Sequence, residues 1–230
     1  MTNTPRHMHD EPRCTTHGAL VLTLAVAALL DMGTSTALGL TDHAPSVPVI
    51  MFRVVDAYAS PATLIASLIA GMLWLRKGEK AGQLFFSVTL ALAMLALLDN
   101  VVGLIVSLFD KQDHPADLLL SASLVYFESI AVFAAYYWKF DHPYQVRIAA
   151  GENIHPGIVF PHNTCAFDSL TGWQPTFMDY AFLSFNTAST FGPTLPIPLR
   201  NPIQIGMMLQ VAIAMAVLIM LAARAIGLIS

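Results

Sequence analysis

Five long apolar stretches constrain this chain more than any other feature. A hydrocarbon core of about 30 Å needs roughly 20 residues of helix to cross it. Residues 18–40, 49–75, 81–109, 116–140 and 202–228 each meet that length. Only 11% of the 230 residues are charged, 56% are hydrophobic, and the mean hydropathy is +0.62. Soluble domains carry about 25% charged residues. Lipid, not water, is therefore the expected solvent. The expected fold is an all-α, polytopic membrane helix bundle of five spans plus a re-entrant, pore-loop-like half-helix. Its parts are a polar N-terminal tail (1–17), four transmembrane helices (18–140), a long polar loop (141–175), a re-entrant helix with an extended segment (176–200), and a fifth transmembrane helix (201–230).

Local signals support these boundaries. Asn201 before Pro202 is a helix start, an Asn cap followed by proline at the first helical position. Pro61 predicts a kink in the second span. Trp74 and the run Tyr136, Tyr137, Trp138 fit an interfacial aromatic belt. Arg6 and Arg13 ahead of the apolar run 19–30, with Ser35-Thr36-Ala37 as a cleavage site, also fit a signal peptide. Cleavage there would leave four spans.

The basic residues orient the chain. Arg76, Lys77 and Lys80 share a five-residue loop, which the positive-inside rule places in the cytoplasm. Counting outward puts the N-terminus and the 141–200 loop on that side, with eight of the eleven Lys and Arg residues. The expected localisation is a bacterial inner membrane, multi-pass. Cys14 and Cys165 would then face a reducing compartment and stay free. The lipid bilayer is the expected partner. No basic stripe points to nucleic acid.

Charges within or beside the spans are costly unless they are paired or wetted. Asp31, Arg53, Asp56, Asp99 and Glu128 are such residues. Arg53 and Asp56 share a helix face. One reading is a structural ion-pair cluster of Arg53 with Asp56, Asp99 and Asp31. The other is an ion or proton path through Asp31, Asp99 and Glu128. Glu128 has no basic partner at its depth, which makes it the best single candidate for that path.

The segment 176–199 carries a second candidate site. Thr176 and Asp179 have capping-box spacing and start a helix predicted over 177–190. That helix is about 21 Å long, enough to enter a membrane partway. Pro193, Pro196 and Pro198 forbid its continuation. Non-helical backbone at membrane depth is tolerated only where protein buries it or water wets it. Ser184, Thr187, Thr190 and Thr194 recur at spacings of three, three and four. Hydroxyls and freed carbonyls can replace an ion's hydration shell.

On these residues the segment resembles the pore module of two-helix potassium channels. Thr190, Phe191 and Gly192 match the Thr-Val-Gly of the filter. Pro193, Thr194 and Leu195 depart from it, replacing the Tyr, the second Gly and the Asp. The resemblance implies a cation pore lined by Ser184, Thr187, Thr190, Phe191, Gly192, Pro193 and Thr194, and a homo-tetramer. Such channels insert the loop from outside, whereas the charge count here places it inside. The C-terminal half also resembles bacterial membrane proteins with no assigned activity, through Tyr137-Trp138 and Asp141, Val159-Phe160-Pro161, Trp173 through Tyr180, Ser184 through Thr187, and Ala222 through Ala225. That resemblance implies a fold alone.

His7, His9, Cys14 and His17, and His155, His162, Cys165 and Asp168, are soft or imidazole ligands. Their spacings match no closed zinc motif, so no metal or cofactor is assigned. No nucleophile elbow, metalloprotease helix or phosphate loop is present, and no enzyme is expected. Three functions stay open: cation permeation, a non-conducting structural or partner-binding role, and transport through buried carboxylates.

Overall fold

The computed structural model describes residues 12–37, 58, 61–73, 79–107, 115–164, 173–192 and 195–229. Six α-helices lie among them: α1 (Pro12–Ala37), α2 (Pro61–Leu73), α3 (Glu79–Ser107), α4 (Pro115–Ala149), α5 (Phe177–Thr190) and α6 (Asn201–Ile229). Four of the six are long and apolar enough to cross a membrane: α1, α3, α4 and α6. The described part of the second expected span is shorter. The described helix α2 runs over Pro61–Leu73, and Gly71 packs its backbone against Val21 of α1.

Helix α4 is the centre of the molecule. Val132, Phe133, Ala134 and Ala135, nearly one full turn, are all buried. Two sets of contacts fix the directions of α1 and α3 against it. Trp138 meets His17 and Phe86 edge-on, at 6.4 and 5.6 Å. About three turns earlier in α4, Glu128 shares Asn100 with Asp31. Helices α1 and α3 therefore run parallel to each other and antiparallel to α4. Close packing on the opposite face comes from Gly206 of α6, where any side chain would enter the Tyr136 ring.

The fourth helix outruns its expected end. It passes through Pro143 and stops at Ala149. Gly151 closes it with φ 91, a conformation glycine adopts without steric cost, and its N–H donates to Ile148 O at 2.9 Å. Arg147 reaches over this end and holds Glu152 Oε2 at 2.9 and 2.7 Å. That hydrogen bond keeps the exposed Glu152 carboxyl below its ordinary pKa.

Helix α5 has the extent its sequence predicts. Asp179 Oδ2 accepts from both the backbone N and the hydroxyl of Thr176, each at 2.7 Å. Its C-cap is Phe191 in the left-handed region, φ 58 and ψ 33. The chain then returns to a short antiparallel pairing. Strand β2 (Ile197–Pro198) lies on β1 (Ile158–Val159), with Ile158 opposite Pro198. Arg200 ties this corner to α4 by stacking 4.1 Å over Tyr144 and donating to His155 O.

Candidate functional site

Two polar networks occupy opposite faces of α4. The first lies between α1, α3 and α4. Asn100 Nδ2 donates to Asp31 Oδ1 at 2.7 Å and to Glu128 Oε2 at 2.9 Å. All three side chains are buried, Glu128 to 1% exposure. Apolar helices surround them: Leu24, Ala27, Leu97, Val125 and Val132 are buried nearby in the same core. Among the described residues, no donor reaches Glu128 Oε1 or Asn100 Oδ1. Buried acceptors of this kind are rare in folded proteins, because each costs the desolvation of an unmade hydrogen bond.

The second network joins α4 to α5 and α6. Tyr137 donates to Gln210 Oε1 at 2.6 Å. Gln210 Nε2 donates to Ser184 O and Ser184 Oγ, at 3.0 and 2.8 Å. The Ser184 hydroxyl donates to Ile130 O at 2.8 Å, and Thr187 donates to Leu183 O. Tyr137, Ser184, Thr187 and Gln210 are all fully buried.

Towards the end of α4, Asp141 holds the adjoining loop. Its Oδ1 accepts the backbone N–H groups of Gly157 and Ile158 at 2.7 and 2.9 Å. Its Oδ2 accepts from Tyr180 at 2.7 Å and Gln145 at 3.0 Å. Four donors around one buried carboxylate replace the water it lost. Phe160 meets Tyr180 edge-on and packs against Trp173, on which His162 stacks at 4.3 Å.

The expected site residues divide accordingly. Asp31 and Glu128 converge on Asn100, and Asp99, next to Asn100 in sequence, is half-buried. Arg53, Asp56, Pro193 and Thr194 lie outside the described residues, as do His7, His9, Cys165 and Asp168. Ser184 and Thr187 point into the chain's own packing. Thr190, Phe191 and Gly192 lie at the C-terminal end of α5, where the Thr190 hydroxyl sits 2.6 Å from Asn186 O and 2.7 Å from Gly192 O. Tyr137, expected in an interfacial belt, faces the interior instead. Asn100, Asp141 and Gln210 were not expected. Their shared signal is a polar residue in or beside an apolar run. Among the described residues, no three His, Cys, Asp or Glu side chains gather as a metal would need.

No family model, curated protein or solved structure matches the chain.

Proposed function

We propose that this is a multi-pass membrane protein that carries protons through the Asp31–Asn100–Glu128 centre. The observation behind this reading is the convergence of two buried carboxyl groups on one amide, within helices apolar enough to cross a bilayer. Ionisable groups at such depth are expensive and commonly mark ion or proton pathways. Two like charges within hydrogen-bond reach of one nitrogen repel strongly at low dielectric. A single proton on Glu128 removes that repulsion and supplies a donor at an oxygen that no other described residue reaches with one. In each cycle a carboxylate takes a proton from one side, becomes a neutral acid, and releases the proton to the other. Asn100 positions both groups and stays neutral throughout.

A second reading, cation permeation at the 176–194 loop, draws on the short helix α5 and the extended return after it. Ser184 and Thr187 weigh against it, since their hydroxyls are engaged within the chain. Only Thr190 to Thr194 would remain to line a pore.

Proteoliposomes with an internal pH dye and an imposed potassium-diffusion potential separate the two. Proton uptake should occur with the unaltered protein, fall to background in Glu128→Gln, and survive Thr190→Val. Uptake unchanged by Glu128→Gln would sink the proton reading. Potassium flux abolished by Thr190→Val would establish the pore.

A further inference from the structure

The segment from Tyr180 to Pro198 starts and ends at the same level of α4. At its start, Tyr180 bonds Asp141. At its end, Pro198 pairs with Ile158, whose N–H also bonds Asp141. Between these anchors, Ser184 is tied to Ile130 O. Ile130 lies eleven residues before Asp141, about 16 Å along α4. The chain thus goes down beside α4 and comes back.

The inner and outer faces of α5 differ sharply. Tyr180, Leu183, Ser184 and Thr187 are at 0% exposure, while Met178, Phe182 and Phe185 are at 74, 60 and 48%. The outer residues are spaced four and three apart, so they form one stripe. No charged residue occurs from Tyr180 to Phe191.

We infer that this segment is a half-depth hairpin whose Met178–Phe182–Phe185 face lies against the acyl chains of one leaflet. Lipid is favoured as the occupant by depth and by continuity. The hairpin runs alongside α4 inward from the level of Asp141, beyond which lies the exposed Arg147–Glu152 ion pair, into the apolar stretch of that helix. The adjoining helix α6 leaves Ile205, Met208 and Leu209 uncovered, which extends the same apolar surface. A segment with its backbone and hydroxyl groups satisfied on the inner side can meet hydrocarbon on the outer one. This inference is independent of the proton-carrying centre, which lies on the other face of α4.

Nitroxide labelling tests it. Single cysteines at Met178, Phe182 and Phe185 would be introduced into full-length protein with Cys14→Ser and Cys165→Ser, in phosphatidylcholine bilayers. Met208→Cys serves as the reference on α6. Collision with oxygen should exceed collision with a water-soluble nickel chelate several-fold at all three sites. The excess should grow from 178 to 185. A nickel excess would mean water covers the face. Low collision with both probes, with spin–spin broadening, would mean a second copy covers it. Either result overturns the inference.

Discussion

Asp141 shows how much one side chain can hold in a chain this apolar. Its four donors come from α4, α5 and the 157–158 loop. Asp141→Asn keeps the shape but replaces one acceptor oxygen with a donor, which must then face other donors. Leaving buried donors unmatched costs about 1–3 kcal/mol each. We expect Asp141→Asn to destabilise by at least about 2 kcal/mol. Gly157→Ala tests the same spot by size, since its Cβ would lie 2.7 Å from both Asp141 Oδ1 and Ile203 Cδ1. Overpacking of that kind costs about 1–3 kcal/mol. Thermal unfolding in detergent measures both, and an unchanged Tm for either would contradict the tight corner. The sequence made this residue hard to see. Pro143 two residues later argues for a helix end, so Asp141 read as the start of a loop. Glu128 was legible because an acid inside an apolar run has few bland explanations. Asn100 was not, because it adjoins Asp99 and only the helix rotation decides which of the two faces α1 and α4.

At the scale of elements, the bounds of α5 and the start of α6 followed from local chemistry, while α4 ran past its expected end. Helix α5 starts and stops where the Thr176–Asp179 spacing and the prolines place it, and α6 starts at its Asn-Pro signal. What periodicity could not supply was the partner of each face. The hydroxyl spacing of Ser184 and Thr187 suits an inner helix contact as well as a pore, and the two differ only in what stands opposite. Here Gln210 stands opposite. Ser184→Ala removes the hydroxyl that accepts from Gln210 and donates to Ile130 O, and leaves the bond from Gln210 to Ser184 O in place. Interhelical hydrogen bonds of this kind are worth about 0.6 kcal/mol on average and up to about 2 kcal/mol. A cycle of Ser184→Ala, Gln210→Leu and the double variant should return a coupling of roughly 0.5–2 kcal/mol, read from unfolding in mixed micelles. A coupling of zero would mean that the hydroxyl–amide bond between Ser184 and Gln210 does not help hold α5 to α6. The C-cap offers a change in the opposite direction. Phe191 adopts a left-handed backbone that costs a non-glycine residue about 1 kcal/mol. Phe191→Gly should therefore raise Tm slightly, unless the exposed ring contributes more to lipid contact than the backbone loses.

For the whole molecule, the arrangement around α4 decides whether the two networks act separately. One face of this helix carries Glu128, which shares Asn100 of α3 with Asp31 of α1. The other presents Ile130 O, Tyr137 and Asp141 to α5 and α6. The side chains of residues 132–135 fill the turn between the networks and are buried all round, so α4 has no slack through which a small shift could be absorbed. Two outcomes follow from different physics. If α4 is a rigid partition, a lesion on one face is not felt on the other. Asn100→Ala and Gln210→Ala share no hydrogen-bond partner, and separate sites of this kind add within about 0.5 kcal/mol. If α4 instead moves as a unit when the carboxyl pair gains or loses its proton, the hairpin must move with it, and the two lesions will not add. The structure favours the partition, because among the described residues no side chain hydrogen-bonds to members of both networks. The double variant should then unfold at the stability given by the two single losses together. The same measurement repeated from pH 5 to pH 8 should keep that additivity. A coupling above about 1 kcal/mol that appears at one end of this range only would show instead that protonation of the Asp31–Glu128 pair is transmitted through α4 to the hairpin.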